Sequence, residues 1–418
     1  MVSLGGEFHR RHLSPSLLLV SAILGILAGG VVWLFLYLMR GGQWLLWDWL
    51  PGQVSSALLP LVVCLVGGVL IGLWNKKFGA YPQPMEAVLP AVKETHRYDS
   101  RPTLVLFGSA LLPLIFGASI GPEAGLVGIV AALCTWVGDR FQYTIKGIRQ
   151  ITAISAAATV GVLFRAPLFG FLAENEPDED QAYSFPNRAK VLLYFTTVLC
   201  GLGVFWLLNR LTGHDFDFAK FDAATVGTAE LRWAIPLLLI GIAGGYLYEY
   251  LSVILGKLPV TRFPVRFAVL CGLVLGISAT LFPLALFSGE KALGDLISQG
   301  STMTAPMLAL NGTLKLVLTA ICIHLGWRGG HIFPLLFAGA ALGFGFAALT
   351  GVDPVFAAAV MMAAISGVVI RKPLTVILLM LICFPVVNLL ILIPAAVAGS
   401  YVPTGWLKTH RAADLAAE

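Results

Sequence analysis

Glu123 is the only charged side chain between Pro102 and Gly138. A carboxylate inside a long apolar run is costly in hydrocarbon, and its default reading is functional. It follows Gly121 and Pro122. Proline favours the first position of a helix, and acidic side chains favour the first turn, so a helix is expected to begin here. One reading is that Glu123 only stabilises the start of its own helix. The other uses the same physics for transport. A buried helix N-terminus presents free N–H groups and partial positive charge, which makes it an anion site. A tethered carboxylate competes with a small anion for that site, and protonating it frees the site. Glu123 would then gate anion flow and link it to protons.

A second N-terminus of this kind is expected after Gly329 and Gly330, where His331-Ile332-Phe333-Pro334 opens another apolar run. Glycines allow close backbone approach. Ile332 stands where the first loop has Glu123. One half would therefore carry the acid, and the other would add amides. The candidate anion ligands are Gly121 and the amides of Glu123, Ala124, Ile332 and Phe333. His331 is either a proton carrier or a structural histidine. Arg328 either attracts anions or extends its head group to the membrane surface. Arg165 and Arg371 stand at matching Arg-x-Pro-Leu positions and either satisfy helix breaks or line the path. The acidic run from Glu174 to Asp180 reads as a solvated loop. Its first members, Glu174 and Glu176, are proton-relay candidates. The six cysteines sit singly in apolar segments, with no CxxC, and read as packing thiols.

The elements that hold these residues must lie in a membrane. Of 418 residues, 58% are hydrophobic and 12% are charged, about half the ~25% charge usual in soluble proteins. Mean hydropathy is +0.87. That balance excludes a soluble enzyme, a nucleic-acid-binding protein and a disordered chain. The net charge of +5 is spread over loops and termini and indicates no polyanion partner. His9, Arg10, Arg11 and His12 precede the first apolar run, which places segment 1–14 in the cytoplasm. That run, 17–39, reads as a spanning helix and not a cleaved signal. Several later runs are too short to span ~30 Å of hydrocarbon and abut Gly or Pro clusters, as half-helices do.

Two internal echoes divide the chain. Gly117-Ala-Ser-Ile-Gly121-Pro-Glu123 is answered by Gly326-Trp-Arg-Gly-Gly330-His-Ile332, at an offset of 326 − 117 = 209. Ala157 to Leu168 is answered by Ala363 to Leu374, at an offset of 363 − 157 = 206, with seven of twelve positions identical. The reading is an all-α polytopic fold of two inverted repeats of tilted and broken helices, 15–212 and 230–408. A linker, 213–229, joins them, and 409–418 is a tail. Broken helices at matching positions place a transport site at the repeat interface.

These motifs together resemble the CLC family of chloride channels and chloride/proton antiporters. Gly121-Pro-Glu123-Ala-Gly125 aligns with the family's G-[KR]-E-G-P, whose Glu is the gate. Gly330-His-Ile-Phe-Pro334 aligns with its G-x-F-x-P. Phe164-Arg-Ala-Pro167-Leu-Phe-Gly-Phe-Leu172 resembles F-x-A-P-x-x-G-x-L, and Phe287-Ser-Gly289-Glu290 is similar to a further family segment. The family's G-S-G-I-P loop falls near Gly79 to Pro84, where no serine stands, so Tyr81 or backbone would replace its chloride contact. Tyr401 matches the family's coordinating tyrosine. The inner proton-accepting Glu of family antiporters falls on Pro177, one step after Glu176.

The resemblance implies small-anion transport, chloride first, gated by Glu123, with channel-like conduction slightly favoured. Chloride/proton antiport and fluoride export stay open, as does a non-anion secondary transporter with inverted repeats. It also implies a homodimer in a lipid bilayer, with protons as a second cargo if exchange occurs. The expected location is a prokaryotic plasma membrane. No enzyme motif and no cofactor or metal set is found.

Overall fold

Pro167, Pro264, Pro354 and Pro373 each occupy the first position of a helix, where the missing N–H costs nothing and φ is already helical. The computed structural model describes residues 15–54, 56–79, 81–83, 88–89, 92, 98, 103–141, 148–176, 188–213, 216, 218–300 and 303–403. Segments 1–14 and 409–418, and Pro177, lie outside the described residues. The helices in chain order are α1 Pro15–Trp44, α2 Leu59–Phe78, α3 Thr103–Ile115, α4 Glu123–Phe141, α5 Ile148–Leu163, α6 Pro167–Asn175, α7 Arg188–Thr212 and α8 Thr228–Gly256. They continue as α9 Pro264–Leu281, α10 Glu290–Gln299, α11 Ala305–His324, α12 Ile332–Thr350, α13 Pro354–Ile370, α14 Pro373–Cys383 and α15 Leu389–Ser400. A π turn, Leu45–Trp49, carries α1 on to Gln53. Among the described residues there is no strand, only an isolated antiparallel bridge between Gly121 and Gly330.

Seven helices are long and apolar enough to cross a membrane, and six shorter apolar ones lie among them. At 1.5 Å per residue, the 13 residues of α3 reach about two thirds of the hydrocarbon thickness. The expected half-helices are therefore present. Of the seven, α12 is the most enclosed: 72% of its apolar window is buried, against 50% or less for the others. The outer helices instead expose large apolar side chains such as Leu199, Trp206, Ile235 and Leu239, as lipid-facing helices do.

Packing divides the chain into two units, one drawn from 1–37, 84–107 and 126–216, the other from 38–83, 108–125 and 217–418. In the first, α1 crosses α7 on small residues: a Cβ on Gly25 or Gly29 would overlap the backbone of Thr197 or Gly201. With little hydrophobic drive between helices in lipid, such close backbone contact supplies the packing. Leu24 and Ala28 meet Val130 and Cys134 of α4 in its core. In the second unit, α2 and α9 approach closely, Gly72 lying on Val265 and Gly276 on Leu61. Its core joins Tyr248 of α8, Leu316 and Ala320 of α11, Leu335 and Ala338 of α12, and Ile365 of α13.

The sequence echoes reappear as backbone geometry. Arg165 and Arg371, 206 positions apart, both take positive φ, 51° and 59°. Each ends a helix, α5 or α13, two residues before a helix-starting proline. A left-handed arginine costs about 1–2 kcal/mol, so the surroundings impose the break. Arg165 lies over the Phe205 ring at 5.6 Å, and Arg371 donates to the Val402 carbonyl at 3.5 Å. The cysteines are less solitary than their spacing suggests: Cys271 and Cys322 place their Sγ atoms 3.9 Å apart.

Segment 218–227, within the expected linker, is an irregular strap. Phe221 donates its N–H to the Cys383 carbonyl at 2.8 Å and stacks on Phe384 at 4.5 Å. Ala224 donates to Asn388 Oδ1 at 3.0 Å, and Thr225 to Asp353 Oδ2 at 3.0 Å. Phenylalanines at 216, 218 and 221 make this stretch apolar enough to bury.

Candidate anion-binding site

Two glycines with positive φ shape the loops. Gly117 (φ +92°) ends α3 and Gly326 (φ +97°) ends α11, the left-handed stop common at helix C-termini. Side chains then fix the loops. Trp47 Nε1 donates to the Ile115 carbonyl at 3.0 Å, and Gln43 to that of Leu114 at 2.9 Å. Asn75 donates to Gly326 O at 2.8 Å, and the buried Trp327 donates to Ala268 O at 2.8 Å. Ser119 and Thr319 bring their hydroxyls to 3.3 Å.

The loops meet at their last glycines. Gly121 N donates to Gly330 O at 2.7 Å, and Gly330 N to Gly121 O at 2.8 Å. Such reciprocity is what a local two-fold relation between matched loops produces. From this bridge α4 and α12 start, at Glu123 and Ile332.

Glu123 is 1% exposed. Its Oε1 accepts the Ile332 N–H at 2.7 Å. A Cβ on Gly121 or on Gly330 would overlap the Glu123 carboxyl group, so both glycines are needed for the carboxylate to lie where it does. The α12 N-terminus offers unsatisfied N–H groups and partial positive charge. The acid of one loop thus caps the helix of the other.

Gly121, Glu123 and Ile332 therefore form one hydrogen-bonded unit, with Ala124 and Phe333 buried in the first turns beside it. Phe333 stacks on Phe218 of the strap, with centroids 5.5 Å apart and planes 11° apart. His331 precedes α12, is mostly buried and faces the Tyr248 ring at 5.7 Å. Arg328 is half-buried in the loop. Tyr81 is half-buried next to Pro82, whose Cγ comes to 4.0 Å from a Cβ placed on Gly125. The Tyr81 loop thus runs beside the first turn of α4. Tyr401 follows α15, is 60% exposed and is not drawn into the hydrogen-bonded unit. Glu176 closes α6 and is buried. The Glu174 side chain lies outside the described residues.

Sequence reading passed over two buried charges, Lys315 in α11 and Glu249 in α8. The signal was available, since Lys315 is the only Asp, Glu, Lys or Arg in α11. Phe218 gave no such signal, because nothing local says what an aromatic in a loop will stack on.

A bilayer-spanning set of broken helices, converging on a carboxylate held by a helix N-terminus, defines a multi-pass ion-transport protein. The chain belongs to the voltage-gated chloride channel family, the CLC proteins, whose model matches residues 67–404. Family members are channels or transporters and not enzymes, and this chain is an anion-transport protein of that family. Among its relatives is the YfeO protein of Salmonella paratyphi A, named provisionally for ion transport, 26% identical over 87% of this chain and 88% of the relative. YfeO of Escherichia coli O1:K1 is 24% identical over 72% of each. Among solved structures, a CLC-type fluoride/proton antiporter covers 93% of this chain and 95% of its own, with TM-score 0.72 and 20% identity. A slow cyanobacterial Cl-/H+ antiporter covers 97% and 99%, with TM-score 0.74 and 19% identity. The fold is accordingly the CLC fold of two inverted repeats.

Proposed function

We propose that the protein moves chloride across the membrane along a path that Glu123 opens and closes. The observation that carries this reading is the Glu123 carboxylate lying 2.7 Å from the Ile332 N–H. A carboxylate there stands where a free anion would bind. Once it is protonated or displaced, the amides of Glu123, Ala124, Ile332 and Phe333, beside Gly121, receive the anion. Tyr81 and Tyr401 are the side chains assigned to its remaining coordination. Repeats 15–212 and 230–408, joined by 213–229, contribute one helix N-terminus each. The working form is a homodimer in a prokaryotic plasma membrane. The test is anion efflux from liposomes holding the purified protein, with chloride and fluoride compared. Chloride efflux that Glu123→Gln alters supports the reading, and impermeability to both anions overturns it.

Proton-coupled exchange is the second reading. The burial of Glu176 at the end of α6, one residue before the family's relay position, favours it. The two similar antiporter structures add weight. Against it, a one-residue step turns a helical side chain by about 100°. A chloride gradient without a pH gradient separates the two. Uphill proton movement abolished by Glu176→Gln establishes exchange, and chloride efflux without protons establishes a channel.

A further inference from the structure

Lys315 has no part in the site described so far, yet it is fully buried in a spanning helix. Its Nζ donates to the backbone carbonyls of Ala285, Leu286 and Phe287 at 3.2, 2.8 and 2.7 Å. It also lies 5.4 Å from the centroid of the Phe337 ring, a favourable seat for a cation. An ammonium has three donors and no acceptor. Three carbonyls and a ring face suit that charged form, whereas a neutral amine would turn its lone pair toward a carbonyl. Gly289, at φ +95°, leaves room for the arrangement: a Cβ there would come to 2.8 Å from Phe337 Cβ and 3.3 Å from Lys315 Cε.

Carbonyl dipoles solvate a charge without cancelling it. The partners of the Lys315 ammonium are carbonyls and a ring face, with no carboxylate among them. Its charge is therefore not neutralised within the cradle, and two short links connect it to the Glu123 loop. Phe287, whose carbonyl accepts from Lys315, donates its own N–H to Gly117 O at 3.3 Å. Thr319, one turn beyond Lys315, donates to its carbonyl at 2.7 Å and meets Ser119 at 3.3 Å.

We propose that Lys315 is a specificity-determining residue of the anion path: its buried charge holds the interior behind the 117–123 loop positive, so that an anion enters and a cation does not. The inference rests on the Glu123 site reading above. In a low-dielectric interior a charge acts over a longer range than in water. With Glu123 in place, its carboxylate balances Lys315. With Glu123 withdrawn or protonated, the transported anion takes over that balance.

The experiment uses full-length protein in liposomes and compares Lys315→Gln, Lys315→Met and Lys315→Arg. Glutamine keeps donors for the carbonyls without the charge, and so guards against a variant that fails to fold. Half-saturating chloride, maximal flux and chloride-over-potassium permeability are read separately. Lys315→Gln is expected to raise half-saturating chloride roughly tenfold and to lower the permeability ratio, while Lys315→Arg stays within about threefold. The same shift is expected between Glu123→Gln and the Glu123→Gln/Lys315→Gln pair, because the charge acts on the anion and not on the gate. Unchanged half-saturation and selectivity in Lys315→Gln, or equal loss in Lys315→Arg, overturns the proposal and leaves Lys315 as a staple of the 285–287 turn. A Glu123→Gln variant with the wild-type pH profile defeats the gate reading instead, whatever Lys315 does.

Discussion

Glu123 and Ile332 are 209 positions apart in the chain and 2.7 Å apart in space, carboxylate oxygen to amide nitrogen. Each begins a helix, and the acid caps the other's helix. In the gating proposed above, closing the path needs only the side-chain torsions of one residue, with the backbone of both loops held by the Gly121–Gly330 bridge.

Glu123→Gln keeps the shape and removes the charge. Flux should persist or rise and lose most of its pH dependence, because the side chain no longer competes as an anion. Efflux measured from pH 4.5 to 7.5 checks this, and a wild-type pH profile would rule the gate out.

Gly330→Ala places a methyl group where the Glu123 carboxyl lies. The carboxylate should be displaced from Ile332 and the path held open. Flux in Gly330→Ala and in Gly330→Ala/Glu123→Gln should then match. A further large change on adding Glu123→Gln would mean that the acid still reaches its amide.

Phe218→Ala removes the ring stacked on Phe333. The loss of a half-buried aromatic contact should cost about 1–3 kcal/mol. It should also loosen the first turn of α12, so anion affinity falls along with the thermal midpoint in detergent. Phe221→Ala, which unpacks the strap from Phe384, serves as the comparison. It should lower the midpoint with a smaller change in affinity.

Asp353 caps α13, outside the spans. Its Oδ1 accepts the N–H groups of Val355 at 2.7 Å and Phe356 at 3.0 Å, and its Oδ2 accepts from Thr225. Partial burial pushes its pKa up, but the Thr225 hydroxyl and three backbone N–H groups outweigh this and hold it below the ordinary 3.8. The sign follows: with the folded pKa depressed, the stabilisation is complete above the unfolded value and is lost as pH falls through the folded one. Thermal midpoints from pH 6 down to 3 should fall more steeply for wild type than for Asp353→Asn. Asp353→Ala should lose about 0.5–2 kcal/mol at neutral pH, as a missing N-cap does. Parallel pH curves for wild type and Asp353→Asn would refute the assignment.

Much of the site was legible locally. Apolar composition demanded a membrane, and a lone acid after Gly-Pro demanded a helix start. The paired echoes at offsets of 209 and 206 announced the two loops and the matching arginines before Pro167 and Pro373, whose left-handed backbone only the structure showed. These features follow rules that act within a turn or two: capping, proline at the first position, glycine at the stop. Which N-terminus the Glu123 carboxylate would cap was open, because both lay within the same rules, and only its contact with the Ile332 N–H settled it. The strap over Phe333 and the cradle of Lys315 were open for the same reason. Stacking partners and carbonyl clusters join residues from segments far apart in the chain, and sequence periodicity carries no record of which helix faces meet. Sequence by itself determined the membrane, the broken helices and the acid; tertiary packing decided what the acid, the lysine and the aromatic touch.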